Sequence, residues 1–152
     1  METSGHGALM ENYFLDDGAY LATKIVIRYA QLRRQGRTLA DLLEGMREPL
    51  EAQELRFRLL PEDFKAAGAA VLAALAQYAA GKTGWVTEQD NYEGLRYAVP
   101  AQKGWFLLRM SLHDPLMPLN IESDCPGGSS AILRELTPFL TAQPALDTTV
   151  LD

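Results

Sequence analysis

The spacing of apolar residues changes along this chain, and that change constrains the fold more than any other feature of the sequence. Up to residue 47, apolar side chains recur every three or four residues, which is the spacing of an amphipathic helix. From residue 54 they alternate with charged side chains, which is the pattern of a strand with one buried face. The sequence therefore predicts a helical segment at 1–47, a linker around Pro49, and a sheet-containing domain at 51–152.

The first segment is predicted to contain two helices and no sheet of its own. Acidic Asp16 and Asp17 precede the first helix and interact favourably with the positive end of its dipole. Gly36 is expected to end this helix. Thr38 and Asp41 resemble a capping box, which predicts a second, short helix that runs towards Met46. The apolar face of the first helix consists of Leu21, Ile25, Tyr29 and Leu32.

The second segment alternates between strand and helix patterns in an order that defines its class. A strand at 54–59 precedes an alanine-rich helix closed by Gly81, and strands at 95–99, 104–108 and 119–122 precede a last helix. The turn 100–104 is short enough to make an antiparallel pair of the strands that it joins. The sequence thus predicts an α+β fold, a four-stranded, mainly antiparallel sheet covered by two helices.

Several residues of this segment carry narrower expectations. Pro118 cannot donate a ladder hydrogen bond, so it predicts an edge position or a late start for the strand that contains it. Pro138 is expected to end the last helix, and the tail from Thr141 is expected to fray. Trp105 and Phe106 are predicted to be core residues rather than a platform on which bases stack.

The composition narrows the classes of protein that the chain can belong to. The 152 residues are 47% hydrophobic and 22% charged, as in an ordinary globular protein, and they carry a formal charge of −6. This acidic balance argues against nucleic acid as a partner, and no apolar run is long enough for a membrane span. One cysteine and two histidines exclude a disulfide framework and argue against a structural zinc site. We expect a cytoplasmic protein.

The loop at 109–115 is predicted to bind an anion. It reads Arg-Met-Ser-Leu-His-Asp-Pro and lies between two apolar strands. A planar guanidinium on Arg109, the hydroxyl of Ser111 and a run of turn amides suit the tetrahedral oxygens of a phosphate. Ser, Asp and Pro are also ordinary turn residues, so a simple solvent-exposed turn is the alternative that the loop alone leaves open.

Four short motifs, in order along the chain, resemble those of the α-D-phosphohexomutases, the phosphoglucomutases and phosphomannomutases. The stretch 2–6, Glu-Thr-Ser-Gly-His, resembles their sugar-recognition loop, Gly-Glu-x-Ser-Gly-His. The stretch 16–18 is similar to the Asp-x-Gly that opens the next helix of their third domain. The stretch 93–96, Glu-Gly-Leu-Arg, resembles their Asp-Gly-Val-Arg, and 109–115 resembles the phosphate loop Arg-x-Ser-Gly-Thr-Glu-Pro of their fourth domain.

The resemblance implies that the chain is a C-terminal fragment of such a mutase. Residues 1–47 would be the tail of the third domain, and 51–152 would be the fourth, phosphate-binding domain with its TBP-like sheet. The family's phosphoserine loop and Asp-x-Asp-x-Asp metal loop have no match in this sequence. We therefore expect the fragment alone to be inactive, with no catalytic or metal-binding residue and no bound cofactor. The parent would be an isomerase, an intramolecular phosphotransferase.

The resemblance also implies which residues contact the substrate. The substrate phosphate would be held by Arg109, Ser111, Leu112 and His113, and the sugar hydroxyls by Glu2, Ser4 and His6. Leu112 and His113 replace the family's commoner Gly-Thr, which removes a threonine hydroxyl and offers an imidazole instead. Mg²⁺ and a glucose 1,6-bisphosphate-type activator would act with the missing part of the parent.

Two classes of function remain open at this stage. The first is the substrate-binding part of a mutase that interconverts hexose 1-phosphate and hexose 6-phosphate through a phosphoserine and a bisphosphate intermediate. The second is a free-standing α+β protein-interaction or ligand-binding module. The first implies hexose phosphates and the remaining domains of the parent as partners, and it leaves glucose or mannose undecided. The apolar face of the first helix predicts either self-association of the fragment or high mobility of this segment.

Overall fold

A computed structural model describes residues 7–89, 91, 93–111 and 113–152 of the chain. Within it the chain divides into two compact units, Met1–Arg47 and Glu48–Asp152, which we call the first and second units. The sugar-loop residues Glu2, Ser4 and His6 lie outside the described residues, and so does Leu112. The units are described separately below.

The first unit is built around one α-helix, α1, at Gly18–Arg34. The Asp17 carboxylate caps its start by accepting the Tyr20 amide at 3.0 Å. At its end Gly36 adopts φ +71°, and the Arg37 amide donates back to the Leu32 carbonyl at 2.9 Å. Local sequence signals therefore fix both ends of this helix, and the prediction for it is confirmed. A short 3₁₀ turn, Met10–Asn12, precedes it.

The prediction of a second helix in this unit is wrong. Only a 3₁₀ turn, Ala40–Leu42, forms there, although Asp41 does accept hydrogen bonds from the Thr38 amide and hydroxyl at 2.9 and 3.0 Å. The first turn of a helix costs conformational free energy, which is recovered only when further turns add hydrogen bonds. Gly45 adopts φ +86° and stops that continuation, and the apolar side chains that follow the turn are exposed.

The second unit is a single antiparallel sheet with two helices. Its six strands lie in the spatial order β2-β3-β4-β5-β1-β6, and every neighbouring pair is antiparallel. The strands are β1 Glu51–Leu59, β2 Val86–Thr87, β3 Leu95–Val99, β4 Gly104–Leu108, β5 Leu116–Ser123 and β6 Leu146–Asp147, and the helices are α2 Phe64–Ala80 and α3 Gly128–Thr141. The predicted α+β class with an antiparallel sheet and two helices is confirmed, with two short edge strands added.

Strand alternation and two amphipathic helices produce the core. Leu55, Phe57 and Leu59 of β1 are buried as predicted, and helices α2 and α3 pack on the same side of the sheet. Alternate residues point the other way, and we call that side the open face. Its residues on the four central strands include Glu54, Arg56 and Arg58 of β1, Arg96 of β3, Trp105 and Leu107 of β4, and Pro118 and Asn120 of β5.

Helix α3 begins with help from a residue far away in sequence. It has no cap of its own, and the Glu51 carboxylate of β1 accepts the Gly127 amide, the Ser129 amide at 3.0 Å and the Ser129 hydroxyl at 2.7 Å. These bonds, that from the Ser129 hydroxyl first, lower the pKa of Glu51. The helix end that could otherwise attract an anion is therefore occupied by the protein's own carboxylate.

The C-terminal expectations are wrong in two places. Pro138 lies inside α3, which continues to Thr141 because Phe139 and Leu140 are buried and hold its last turn against the core. The tail beyond Thr141 does not fray, because β6 pairs with the end of β1 through Leu146, whose side chain is also buried. Both outcomes depend on tertiary burial, which local propensity does not report.

Pro118 is also placed differently from the expectation. It lies within β5, between β4 and β1, and β5 begins before it at Leu116. The Pro118 carbonyl accepts the Arg109 amide at 3.1 Å, so it points towards the β4 side of the strand. The Pro118 nitrogen points to that side as well, opposite Arg109, the first residue after β4. The ladder therefore loses one donor only where β4 has already ended, and a proline is tolerated in a central strand.

Candidate functional site

The backbone of the predicted loop begins as a continuation of the sheet. Beyond the end of β4, the Arg109 amide donates to the Pro118 carbonyl at 3.1 Å and the Ser111 amide to the Leu116 carbonyl at 2.9 Å. The residues from 109 to 111 therefore still run antiparallel to β5. Because side chains alternate along such a segment, Arg109 and Ser111 belong to the open face and Met110 to the core face.

Met110 holds the loop against helix α2. A Cβ atom placed on Gly68 of α2 would lie 2.5 Å from the Met110 sulfur, so the absence of a side chain at Gly68 makes room for this methionine. The same position lies 3.4 Å from Leu59, the last residue of β1. The core side of the loop is therefore packed, and its backbone is fixed where Arg109 leaves the sheet.

The second half of the loop is a hydrogen-bonded turn. The Asp114 amide donates to the Ser111 hydroxyl at 3.3 Å, and the Leu116 amide donates to the Asp114 carbonyl at 2.7 Å. The Ser111 hydroxyl thus has a structural role as an acceptor, and its own hydrogen can still be donated to a ligand. The side chain of His113 is exposed at the tip.

The glycine of the 93–96 motif touches the base of the loop. Gly94 has φ +65°, and a Cβ atom there would lie 2.2 Å from the Leu108 carbonyl oxygen and 2.6 Å from the Arg109 Cα. Asn91 closes the turn before it by donating to the carbonyls of Glu93 at 2.8 Å and Gly94 at 3.1 Å. The structure thus joins two motifs, 93–96 and 109–115, that lie apart in sequence, and glycine is required where they meet.

Trp105 is not a core residue, whereas Phe106 is fully buried as expected. Neighbouring residues of a strand face opposite sides, so the two aromatic rings cannot both reach the core. Trp105 lies on the open face with the Arg96 guanidinium carbon 4.2 Å from its ring centroid. This is a cation–π contact, and it occupies one face of the indole with a side chain of the protein itself.

Opposite charges meet beside Arg109 on the open face. Glu54 forms an ion pair with Arg56 at 2.5 Å and accepts a hydrogen bond from the side-chain Nδ2 of Asn120 at 3.2 Å. The hydrogen bond from Arg56 is the largest cause of the lowered pKa of Glu54, and burial opposes it. The Asn120 hydrogen bond and the charges of Arg56 and Arg109 also lower the pKa of Glu54. The Arg109 guanidinium is therefore within electrostatic range of this carboxylate.

Arg56 and Arg58 are not identifiable as candidate residues from the sequence alone. They form the polar half of an alternating strand, and the pattern of β1 does not reveal which strand lies beside it. The pairing of β1 with β5 places Arg56 opposite Pro118 and Arg58 opposite Leu116. A β1–β5 pairing inferred from their shared apolar alternation would have been the one signal able to place them near Arg109.

The described residues hold no cluster of metal-ligand type. Among them, no three side chains of His, Cys, Asp and Glu lie together as metal ligands would. These residues therefore offer no fit for Mg²⁺, and we derive no step through that ion. No helix among them is both long and apolar enough to cross a bilayer.

The architecture is similar to that of a solved enzyme-family structure. The chain matches a phosphoglucomutase/phosphomannomutase family protein from Burkholderia thailandensis with a TM-score of 0.61 and 21% sequence identity. The match covers 96% of this chain and 28% of that chain, so the sequence spans little more than a quarter of the length of its structural neighbour. No protein-family model and no curated protein sequence matches the chain. At this identity the likeness shows the fold.

Proposed function

We propose that this chain is the substrate-phosphate-binding C-terminal part of a phosphohexomutase that interconverts hexose 1-phosphate and hexose 6-phosphate. In this proposal the first unit is the end of the parent's third domain, and the second unit is its fourth domain. The shared fold and the four ordered motifs support it. The observation that carries it is the loop at 109–115, which presents Arg109 and Ser111 on the open face from a backbone fixed by Gly94 and Met110.

The chemistry proposed for this site is anchoring rather than bond making. Phosphoryl transfer depends mainly on positioning and on charge stabilisation, so an enzyme that moves a phosphoryl group must hold the phosphate that is not reacting. Arg109 would bind it through two parallel N–H donors, and Ser111 would donate its hydroxyl hydrogen. His113 and the Leu112 amide would complete the loop, and Glu2, Ser4 and His6 would bind the sugar hydroxyls.

The remaining catalytic groups would come from the rest of the parent chain. The phosphoserine that exchanges phosphoryl groups and the Mg²⁺ loop belong, in this proposal, to domains absent from this sequence. The fragment would then bind hexose phosphates without converting them. Because such a fragment would bind without turnover, the isolated chain can be used to measure phosphate binding by this site alone.

The proposal is tested by titrating the chain with inorganic phosphate at constant ionic strength while amide shifts are followed by NMR. We expect shifts centred on residues 109–114, and Arg109→Gln should weaken binding by about tenfold or more, because a charge-assisted hydrogen bond contributes roughly 1.5–3 kcal/mol. Arg134→Gln, which removes an exposed arginine from α3, is the matched control and should leave binding unchanged. If the loop amides show no shifts at tens of millimolar phosphate, the loop is an ordinary turn and not a phosphate site.

A further inference from the structure

The open face places two more arginines beside Arg109 and Ser111. Arg56 of β1 lies opposite Pro118 of β5, and the amide of Arg109 bonds the same proline from the other side. In the next row, Arg58 lies opposite Leu116, to which the Ser111 amide is bonded. Two rows of side chains therefore run across β5, each with an arginine of β1 at one end and a loop residue at the other.

The charges of these rows are only partly neutralised. Arg56 pairs with Glu54, whereas Arg58 is exposed and has no acidic group within ion-pair distance in the described part of the chain. Its neighbour on β6, Asp147, accepts the amide and hydroxyl of Thr149 at 3.1 and 2.8 Å. The Thr149 hydroxyl is the largest cause of the lowered pKa of Asp147, and the charge of Arg58 lowers it further, so Asp147 partly offsets the charge of Arg58 without forming an ion pair with it. A chain with a formal charge of −6 thus concentrates three arginines on one small part of its surface.

The spacing of the strands suits an anion between these arginines. Neighbouring strands lie about 4.8 Å apart, so the Cα atoms of Arg56 and Arg109 are separated by roughly 10 Å across β5. Arginine side chains are long enough to reach the middle from either side. Pro118 lies buried between the two, on a face that neither α2 nor α3 covers, as expected if arginine stems lie over it.

We propose that Arg56 and Arg58 form the second side of the phosphate site, across β5 from Arg109 and Ser111. This inference rests on the proposed function and adds two ligand-binding residues to it. A bound phosphate is contacted by Arg109 and Ser111 from the loop and by the two guanidinium groups of β1. Glu54 acts as an internal counter-ion, since it holds Arg56 in the free protein and yields that arginine to the ligand.

The test compares arginine variants in the same phosphate titration. At constant ionic strength, Arg56→Gln and Arg58→Gln should each weaken phosphate binding by about three- to tenfold, a modest loss because both groups are exposed and screened. Arg134→Gln on α3 removes the same charge away from the open face and should change nothing. Arg58→Lys should recover part of the loss, because it restores the charge without the planar fork.

A further variant tests the role of the counter-ion. Glu54→Gln should tighten phosphate binding about threefold, because it removes the group that competes for Arg56. In the wild type, the amide shifts should extend from the loop into residues 56–58. Circular dichroism of each variant verifies that the fold is retained, so that a loss of binding is not a loss of structure.

The outcomes separate this inference from the proposed function. If Arg109→Gln weakens binding while Arg56→Gln and Arg58→Gln bind phosphate like the wild type, the second side of the site does not exist, and the loop remains the phosphate site. If none of the three variants weakens binding, the proposed function fails as well. If all three weaken binding and Arg134→Gln does not, both stand.

Discussion

Helices α1 and α2 have the same length, 17 residues, but they are stabilised differently. Helix α2 buries Gly68, Val71, Leu75 and Ala79, whereas α1 buries only Leu32. Three successive β-branched residues of α1, at positions 25 to 27, are 45–65% exposed. Burial of an apolar face supplies most of the stability of a protein helix, so α1 depends more on its caps than α2 does. The β-branched residues of α1 add little, because they favour strands over helices. Two helices of the same length in one chain therefore differ in how much of their stability comes from burial.

The largest expected effect is on core packing. Leu75→Ala in α2 should lower the free energy of unfolding of the second unit by about 2–5 kcal/mol, because Leu75 is fully buried and the change leaves a cavity. Ile25→Ala in α1 should cost less than about 1 kcal/mol, because that side chain is already 45% exposed. Urea unfolding of both variants measures the difference. Equal losses would mean that the exposed face of α1 is buried in solution.

Self-association is the second expectation that follows from α1. An exposed apolar stripe on a helix favours contact with a second copy, so we expect the sedimentation coefficient to rise with protein concentration. Ile25→Glu places a charge in the centre of the apolar face, beside Tyr29, where both side chains are 45% exposed, and it should abolish the dependence. The matched variant Leu60→Glu alters an exposed apolar residue outside α1 and should preserve it. A wild-type chain that is monomeric at all concentrations would contradict the expectation.

A pair of glycines separates backbone strain from steric conflict. Gly36 and Gly94 both have positive φ, but a Cβ atom at Gly36 meets nothing within 4 Å, whereas one at Gly94 meets Leu108 and Arg109. Gly36→Ala should cost about 1 kcal/mol, and Gly94→Ala should cost roughly 1–3 kcal/mol more because the loop must move. Thermal unfolding gives the two values. The hypothesis of a close approach fails if the two substitutions cost the same.

The N-caps give a smaller and more local contrast. Asp17 and Asp63 each accept an amide three residues on at 3.0 Å, so each substitution by alanine should cost its helix about 1 kcal/mol. Asp63→Ala should lower the midpoint of global unfolding, because α2 belongs to the core. Asp17→Ala should instead increase amide exchange in α1 alone. A global effect of Asp17→Ala would show that the two units unfold together.

The smallest expected effect is the response of α3 to acid. The pKa of Glu51 is lowered in the folded chain, so its contribution is present above the unfolded value near 4.5 and is lost as the pH falls through the folded value. Glu51→Gln should therefore reduce the slope of stability against pH below 4.5 and leave the slope above it unchanged. Thermal melts between pH 3 and 6, at about half-unit steps, measure both slopes. Identical slopes for variant and wild type below pH 4.5 would refute this role of the carboxylate.

The sequence predicted those parts of the fold whose causes are local. Strand β1 follows from the alternation of Leu55, Phe57 and Leu59, and the start of α1 follows from Asp17. Pro118 and Pro138 were placed wrongly because each is tolerated for a non-local reason, the end of a neighbouring strand and the burial of a helix end. Such compensation is invisible in a window of sequence.

The candidate site divides in the same way. Arg109 and Ser111 could be named from one short motif, because the loop is contiguous in sequence. Arg56 and Arg58 could not, because their position depends on the register of β1 against a strand some sixty residues further along the chain. The contact between Gly94 and Arg109 explains why the two motifs occur together, and only the folded backbone reveals it.

The position of β1 between β5 and β6 has a consequence for how the chain folds during synthesis. Strand β1 is synthesised before both of its neighbours, β5 at Leu116–Ser123 and β6 at Leu146–Asp147, so its two edges stay unpaired until those later strands have left the ribosome. Unpaired strand edges template aggregation. The charged side chains on its outward face, Glu54, Arg56 and Arg58, oppose stacking of nascent chains during that wait. The charges that we propose for ligand binding therefore also oppose misassembly of the nascent chain.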